Sequence, residues 1–156
     1  MDAGNSSFYF YKVAGGKLYA GPLWDFDISS GNCDIEWKLN FNVNDNRYLF
    51  VANNCVWYNK LLEFEEFRNL VSSLLEENIQ LIKDTIQSVV DFQLRYTENN
   101  YKNFEVWDIL NGYVWPNSSD IVGINTFEGQ LEYLKNWLLT KLDYMLEVYC
   151  PSEVSE

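Results

Sequence analysis

The chain contains no histidine. Ser-His-Asp and Cys-His catalysis and imidazole-based metal sites are therefore excluded within it. Cysteine is scarce: there are three, Cys33, Cys55 and Cys150, and none stands in the Cys-x-x-Cys spacing of a zinc site. They read either as buried free thiols or, for Cys33 and Cys55, as a bridge that needs an oxidising compartment. Basic residues are also few, 11 against 23 acidic ones, which leaves a formal charge of -12. A surface of that sign repels phosphate backbones and anionic headgroups, so neither nucleic acid nor a membrane surface is an expected partner. Long apolar runs are missing, and the N-terminus lacks the basic-then-apolar order of a signal peptide, so no membrane span is expected. Phosphate-cradling glycine loops are absent too. Gly15-Gly16-Lys17 lacks the upstream glycine and the following Ser or Thr of a P-loop, and no G-x-G-x-x-G occurs.

What the chain does have is apolar and aromatic weight. Hydrophobic residues make up 47% of its 156 residues and aromatics 17%, enough to bury one core and far from the composition of a disordered segment. One domain over residues 1–150 is expected, with 151–156 as a disordered tail. The six tryptophans, Trp24, Trp37, Trp57, Trp107, Trp115 and Trp137, are expected to pack in or against the core.

The pattern along the chain changes twice. Phe8 to Val13 and Lys17 to Trp24 are β-favouring aromatic runs separated by Ala14-Gly15-Gly16, which predicts a hairpin with a short glycine turn. Pro22 cannot donate a ladder hydrogen bond, so the second strand should end or reach an edge there. Residues 28–54 are crowded with Asn, Asp, Ser and Gly and read as a long loop with a few apolar anchors. From Phe64 onward Phe67, Leu70, Val71, Leu74, Leu75, Ile79, Ile82, Ile86, Val89 and Val90 recur at three- and four-residue spacings, the signature of a helix with one apolar stripe. A break between Asn78 and Asp84, giving two packed helices, suits a compact domain better than one very long helix. Gly112 to Gly123 forms a second loop, and Thr126 is the expected N-cap of a terminal amphipathic helix ending near Cys150-Pro151. The fold class expected is α+β, mainly helical, with one small hairpin.

The sequence concentrates its chemistry at Trp24-Asp25-Phe26-Asp27, followed by Gly31-Asn32. Carboxylates at i and i+2 where a strand ends reach the same side, close enough to offer oxygens to one hard cation or to two neighbours. Magnesium suits such a pair, because one or two carboxylates hold it while phosphate oxygens and water complete its shell. Taken alone, an Asp-x-Asp is more often an ordinary turn or capping pair.

Its context is more specific. The order of hairpin, acidic pair, long loop and helices is that of the C-terminal lobe of protein kinases. Ser7-Phe8-Tyr9-Phe10-Tyr11-Lys12, Gly15-Gly16-Lys17-Leu18, Gly21-Pro22-Leu23-Trp24-Asp25-Phe26-Asp27 and Gly31-Asn32 resemble, in order and spacing, the signature of the CotH (spore coat protein H) atypical protein kinase family. Weaker similarity continues through Trp57 to Leu62, Glu66-Phe67-Arg68, Asn103 to Trp107 and Leu134 to Leu138. The resemblance implies the C-terminal portion of that family's domain, without the N-terminal lobe that holds the nucleotide. It implies that Asp25 is the magnesium-binding Asp, with Asp27 a second metal carboxylate and Asp2 the catalytic-loop Asp that orients the acceptor hydroxyl. Asn32 would support the metal and cofactor site through its amide, or serve only the turn after Gly31.

The function so implied is transfer of the ATP γ-phosphoryl group, with Mg2+, to Ser or Thr of a bacterial coat or surface protein. The spore coat, the cell surface or a secreted setting would be the location. The isolated chain is expected to be inactive, with the missing lobe and a protein substrate as its partners. A non-catalytic extracellular interaction or scaffold module is the main alternative. A metal-dependent glycosyltransferase, in which Asp-x-Asp grips a nucleotide-sugar diphosphate, is a third reading. A further expectation is that the hairpin packs beside the helices and presents Asp25 and Asp27 to an open cleft.

Overall fold

The computed structural model describes residues 7, 9–26, 30–32 and 56–151. Two strands, β1 (Phe10–Lys12) and β2 (Leu18–Ala20), are followed by helices α1 (Val56–Leu61), α2 (Glu65–Leu94), α3 (Thr97–Val106), α4 (Ser119–Val122) and α5 (Phe127–Tyr149). Of the described residues 63% are helical, and with one antiparallel hairpin among them the fold is α+β and mainly helical. No helix among the described residues is long and apolar enough to cross a membrane. Asp2, Asp27, Cys33, Cys55, Trp37 and the body of the first long loop lie outside the described residues.

The hairpin forms where the aromatic runs predict it, with shorter strands. Phe10 pairs with Ala20, Tyr11 with Tyr19 and Lys12 with Leu18. The turn closes through Gly16 N–H donating to the Val13 carbonyl at 2.8 Å. Gly15 sits inside it at φ +72°, a conformation that glycine enters without a Cβ penalty. One further bond, from Gly21 N–H to the Tyr9 carbonyl at 2.8 Å, extends the ladder before Pro22 ends it. The Tyr11 and Tyr19 rings stack across the strands at 5.2 Å between centroids, a cross-strand pair that steadies a two-stranded ribbon otherwise marginal in water. Both strands are exposed along their whole length, so the hairpin is not covered by the helices as expected.

The predicted break between Asn78 and Asp84 does not occur. α2 runs unbroken for 30 residues, about 45 Å at the rise of an α-helix. No Gly or Pro interrupts it, and the polar residues at the supposed break bond within the helix. Asn78 donates to the Leu74 carbonyl at 2.8 Å and Gln80 to the Asp84 carboxylate at 2.8 Å. The chain turns instead at Arg95-Tyr96, where Thr97 Oγ1 donates back to the Leu94 carbonyl at 2.8 Å and α3 begins.

Helices α2 and α5 pack against each other, and the buried apolar residues lie on these two helices together with Leu110 and, on α4, Ile121. Leu75 and Val90 on α2, and Leu131 and Leu142 on α5, are buried. Ser72 Oγ lies 3.4 Å from Cys150 Sγ near one end of the pair, and Lys83 Nζ lies 3.8 Å from the Asp143 carboxylate further along. α2 residues rise in number as their α5 partners fall, so the two helices run antiparallel. Cys150 is a free, half-buried thiol at this seam.

Thr126 is the N-cap of α5, as expected, its hydroxyl accepting from Gly129 N–H at 3.2 Å. Gly129 is required by that geometry, since a Cβ there would stand 2.7 Å from both Thr126 Oγ1 and Ile124 Cγ2. A second cap comes from α3. The Tyr101 phenol accepts from Phe127 N–H at 3.3 Å and donates to the Glu128 carboxylate at 2.7 Å. That hydrogen bond to Glu128 raises the pKa of Tyr101, and the same bond lowers that of Glu128.

The raised phenol pKa means that its contribution to stability is complete below the ordinary tyrosine range and is lost as pH rises through the folded value. The lowered carboxyl pKa gives the opposite limb, present above the ordinary carboxylate range and lost as pH falls through the folded value. Tyr101→Phe should produce a small fall in melting temperature near neutral pH, and the gap from the parent should close at strongly alkaline pH. Melting curves across pH read both.

The aromatic surface departs from expectation. Trp24, Trp57, Trp107 and Trp115 are between 60% and 74% exposed, so four of the six tryptophans are surface residues rather than core. α4, a single turn inside the second loop, has no counterpart in the sequence pattern; it is too short to show a helical period.

Candidate functional site

The hairpin leads the chain through Gly21, at φ +139°, and Pro22 to Asp25. Asp25 is exposed, and its backbone is left-handed at φ +61°, the one non-glycine residue with positive φ among the described residues. Asp enters this region more readily than most residues, yet the conformation costs energy, and such outliers concentrate where function requires them. Its carboxylate is thus held out to solvent at the exit of the hairpin.

From there the chain is tied back to itself and then to α5. Ser30 Oγ donates to the Phe26 carbonyl at 2.7 Å, closing the short stretch that follows Asp25. Gly31, at φ +91°, is buried flat against the Trp137 indole. A Cβ at that position would lie 2.6 Å from Trp137 Cδ1, so only glycine fits. The Tyr133 phenol donates to the Gly31 carbonyl at 3.4 Å. Burial raises the pKa of Tyr133, the nearby Ser118 hydroxyl draws it back, and the charge of Asp120 adds to the rise, so this donor stays protonated through neutral pH. Lys141, itself buried, places its ammonium 5.4 Å from the centre of the Trp137 ring.

Asn32 follows directly and lines a cleft of about 650 Å³ together with Ser30, Phe104, Trp115, Phe127 and Tyr133. Its side-chain oxygen Oδ1 is buried and has no hydrogen-bond partner among the described residues. A buried acceptor without a donor is costly, and a cation or a ligand donor would relieve it. Asp25 is not part of the lining of this cleft.

Of the four residues singled out in the sequence, Asp25 and Asn32 are therefore described, on one short segment fastened to α5. Asp2 and Asp27 fall outside the described residues. The residues that fasten the segment, Tyr133 and Trp137, read in the sequence only as helix. The signal for Trp137 is the Leu134-Lys135-Asn136-Trp137-Leu138 similarity, which marks a helix without showing what rests on it, and Tyr133 lies just outside that stretch. No group of three or more Cys, Asp or Glu side chains gathers among the described residues.

Comparison with curated proteins and with solved structures gave no match. A family model described as CotH kinase protein matches residues 1–145, most of the chain. On that match, this chain belongs to the CotH kinase protein family.

Proposed function

We propose that this chain is the metal-binding part of a kinase that transfers the γ-phosphoryl group of ATP to Ser or Thr hydroxyls of a bacterial coat or surface protein. Family membership supports a kinase-like function. The observation that carries the finer reading is Asp25, an exposed carboxylate on a left-handed backbone where the hairpin ends. Asp27 is its proposed partner on the metal and Asp2 the group that orients the acceptor hydroxyl, while Asn32 lends its amide oxygen to the metal and cofactor site.

Magnesium fits the donors present. It takes hard oxygen ligands, one or two of them carboxylates, and leaves the rest of its shell to phosphate and water. Asp25 offers a carboxylate and Asn32 an amide oxygen without a hydrogen-bond partner among the described residues. When bound, the ion would neutralise charge on the ATP phosphates. The residues of this chain would supply the rest: the hairpin exit holds the Asp25 carboxylate and Asp2 orients the acceptor, which is most of what phosphoryl transfer asks of a protein.

A second reading is favoured by one observation. Four exposed tryptophans are an unusual surface, and exposed aromatics are the anchors of protein interfaces, so a non-catalytic interaction or scaffold module accounts for them directly.

The two readings separate in a direct assay. The 156-residue chain alone should transfer no radiolabelled phosphate from ATP and should bind magnesium weakly, because two carboxylates without phosphate oxygens make a poor magnesium site. The full-length protein should transfer phosphate in magnesium. Absence of transfer and of magnesium-dependent ATP binding in the full-length protein would leave the interaction module as the better account.

A further inference from the structure

We infer that Trp137, steadied by Lys141 and assisted by Tyr133, is a positioning residue that sets where the metal-binding segment stands, acting through Gly31. The inference rests on the metal role proposed for Asp25. Tyr133, Trp137 and Lys141 follow one another at four-residue spacing, so they lie along one face of α5. Two of them contact the same residue of the acidic segment: the indole lies under Gly31, and the Tyr133 phenol reaches its carbonyl. The third presents its ammonium to the indole, and a buried Lys beside a Trp face limits how far that ring moves.

Gly31 is tied through Ser30 to Phe26, the residue next to Asp25. Displacement of Gly31 from the indole is thereby passed to the carboxylate by a path of one hydrogen bond and a few covalent units. Asp25 itself has an exposed side chain, so its placement has to come from the backbone on either side of it. The hairpin supplies one side and the Trp137 seat the other. Outer residues that orient metal ligands are commonly worth ten- to a hundredfold in metal affinity.

The test is a mutant cycle on the full-length protein, read by Mn2+ affinity in the presence of ATP and by amide hydrogen exchange of residues 21–32 without metal. Gly31→Ala forces a methyl group into the indole and should raise exchange in the segment and weaken Mn2+ binding by about tenfold. Trp137→Leu should weaken it similarly by removing the seat. Combined, the two should do less harm than their product, because the smaller side chain makes room for the methyl. Recovery should be partial, to about threefold below the parent, since alanine at φ +91° keeps its backbone strain. Leu75→Ala, which destabilises the helix pair towards its Cys150 end, should lower the melting temperature and leave Mn2+ affinity unchanged.

A Gly31→Ala protein with parental exchange and parental Mn2+ affinity overturns the inference, as does strict multiplication of the two effects. If Asp25→Asn abolishes Mn2+ binding while Gly31→Ala does not weaken it, the metal role stands and the seat is wrong. If exchange shows the coupling but the parent binds no Mn2+, the seat is real and the metal role is what fails, taking the positioning function with it.

Discussion

Asp25→Asn in the full-length protein should slow phosphate transfer by on the order of a hundredfold or more while leaving the melting temperature nearly unchanged. The amide keeps the shape of the carboxylate and loses its charge. Asn also tolerates the left-handed backbone that Asp25 adopts at φ +61°, so the fold has no reason to respond. On the role proposed for Asp25, what disappears is the anionic ligand for a cation whose charge stabilises the transferring phosphoryl group, and in that chemistry such stabilisation does most to lower the barrier. Asp25→Gly sharpens the contrast. It relieves the positive-φ strain and should raise stability by about 1 kcal/mol while slowing transfer at least as much. A residue whose removal stabilises the fold and destroys activity is held in place by function. Radiolabelled phosphate incorporation and a melting curve on each variant make the measurement. Parental rates in a normally folded Asp25→Asn protein would remove the kinase role of this motif.

Leu142→Ala should cost about 2–5 kcal/mol, the largest stability loss expected from a single substitution here. Leu142 is 4% exposed and lies on α5, which packs against α2 and joins the helical part of the molecule. Among the described residues no large side chain is completely buried, and many of the apolar residues of α2 lie open to solvent. A core with so few buried residues has little to compensate for a lost one. At the heat of unfolding usual for a chain of this length, the loss corresponds to a fall in melting temperature of roughly 5–15 °C. Thermal unfolding followed by circular dichroism reads it directly. A fall of less than about 2 °C, on the order of a surface substitution, would mean that the α2–α5 seam is not the core.

The parts of this fold written locally are legible in the sequence. Thr126 stands one residue before an apolar-periodic run and caps it, and the glycines between the two aromatic runs make the hairpin turn. The three- and four-residue spacing from Phe67 to Val90 specifies a helix, and the helix is there. The break expected at Asn78 to Asp84 rests on a preference for compactness and on no breaker residue, and the helix runs through it. With no Gly or Pro in the run, α2 continues through the polar residues and packs against α5. Tryptophan burial is not legible in the same way, because size and apolarity predict packing only where the rest of the fold covers the residue.

At the site, the acidic pair is visible as a motif, and the reason for Gly31 is not. Read in sequence, Gly31-Asn32 is a turn. In the structure the glycine is required because an indole occupies the space of its side chain, and the Tyr133 phenol that fixes its carbonyl is 102 residues further along. No local pattern carries a contact of that separation. The left-handed backbone of Asp25 is equally hidden, since Asp is common in turns of every kind.

Asp25 is proposed to hold the metal that accompanies ATP. Mn2+ substituted for Mg2+ gives a direct reading, by the electron paramagnetic resonance of free and bound ion in titrations of the full-length protein with ATP present. The account predicts Mn2+ bound by the parent with ATP and lost from Asp25→Asn and Asp25→Gly, at unchanged or higher thermal stability. Equal Mn2+ binding by parent and variants would contradict it.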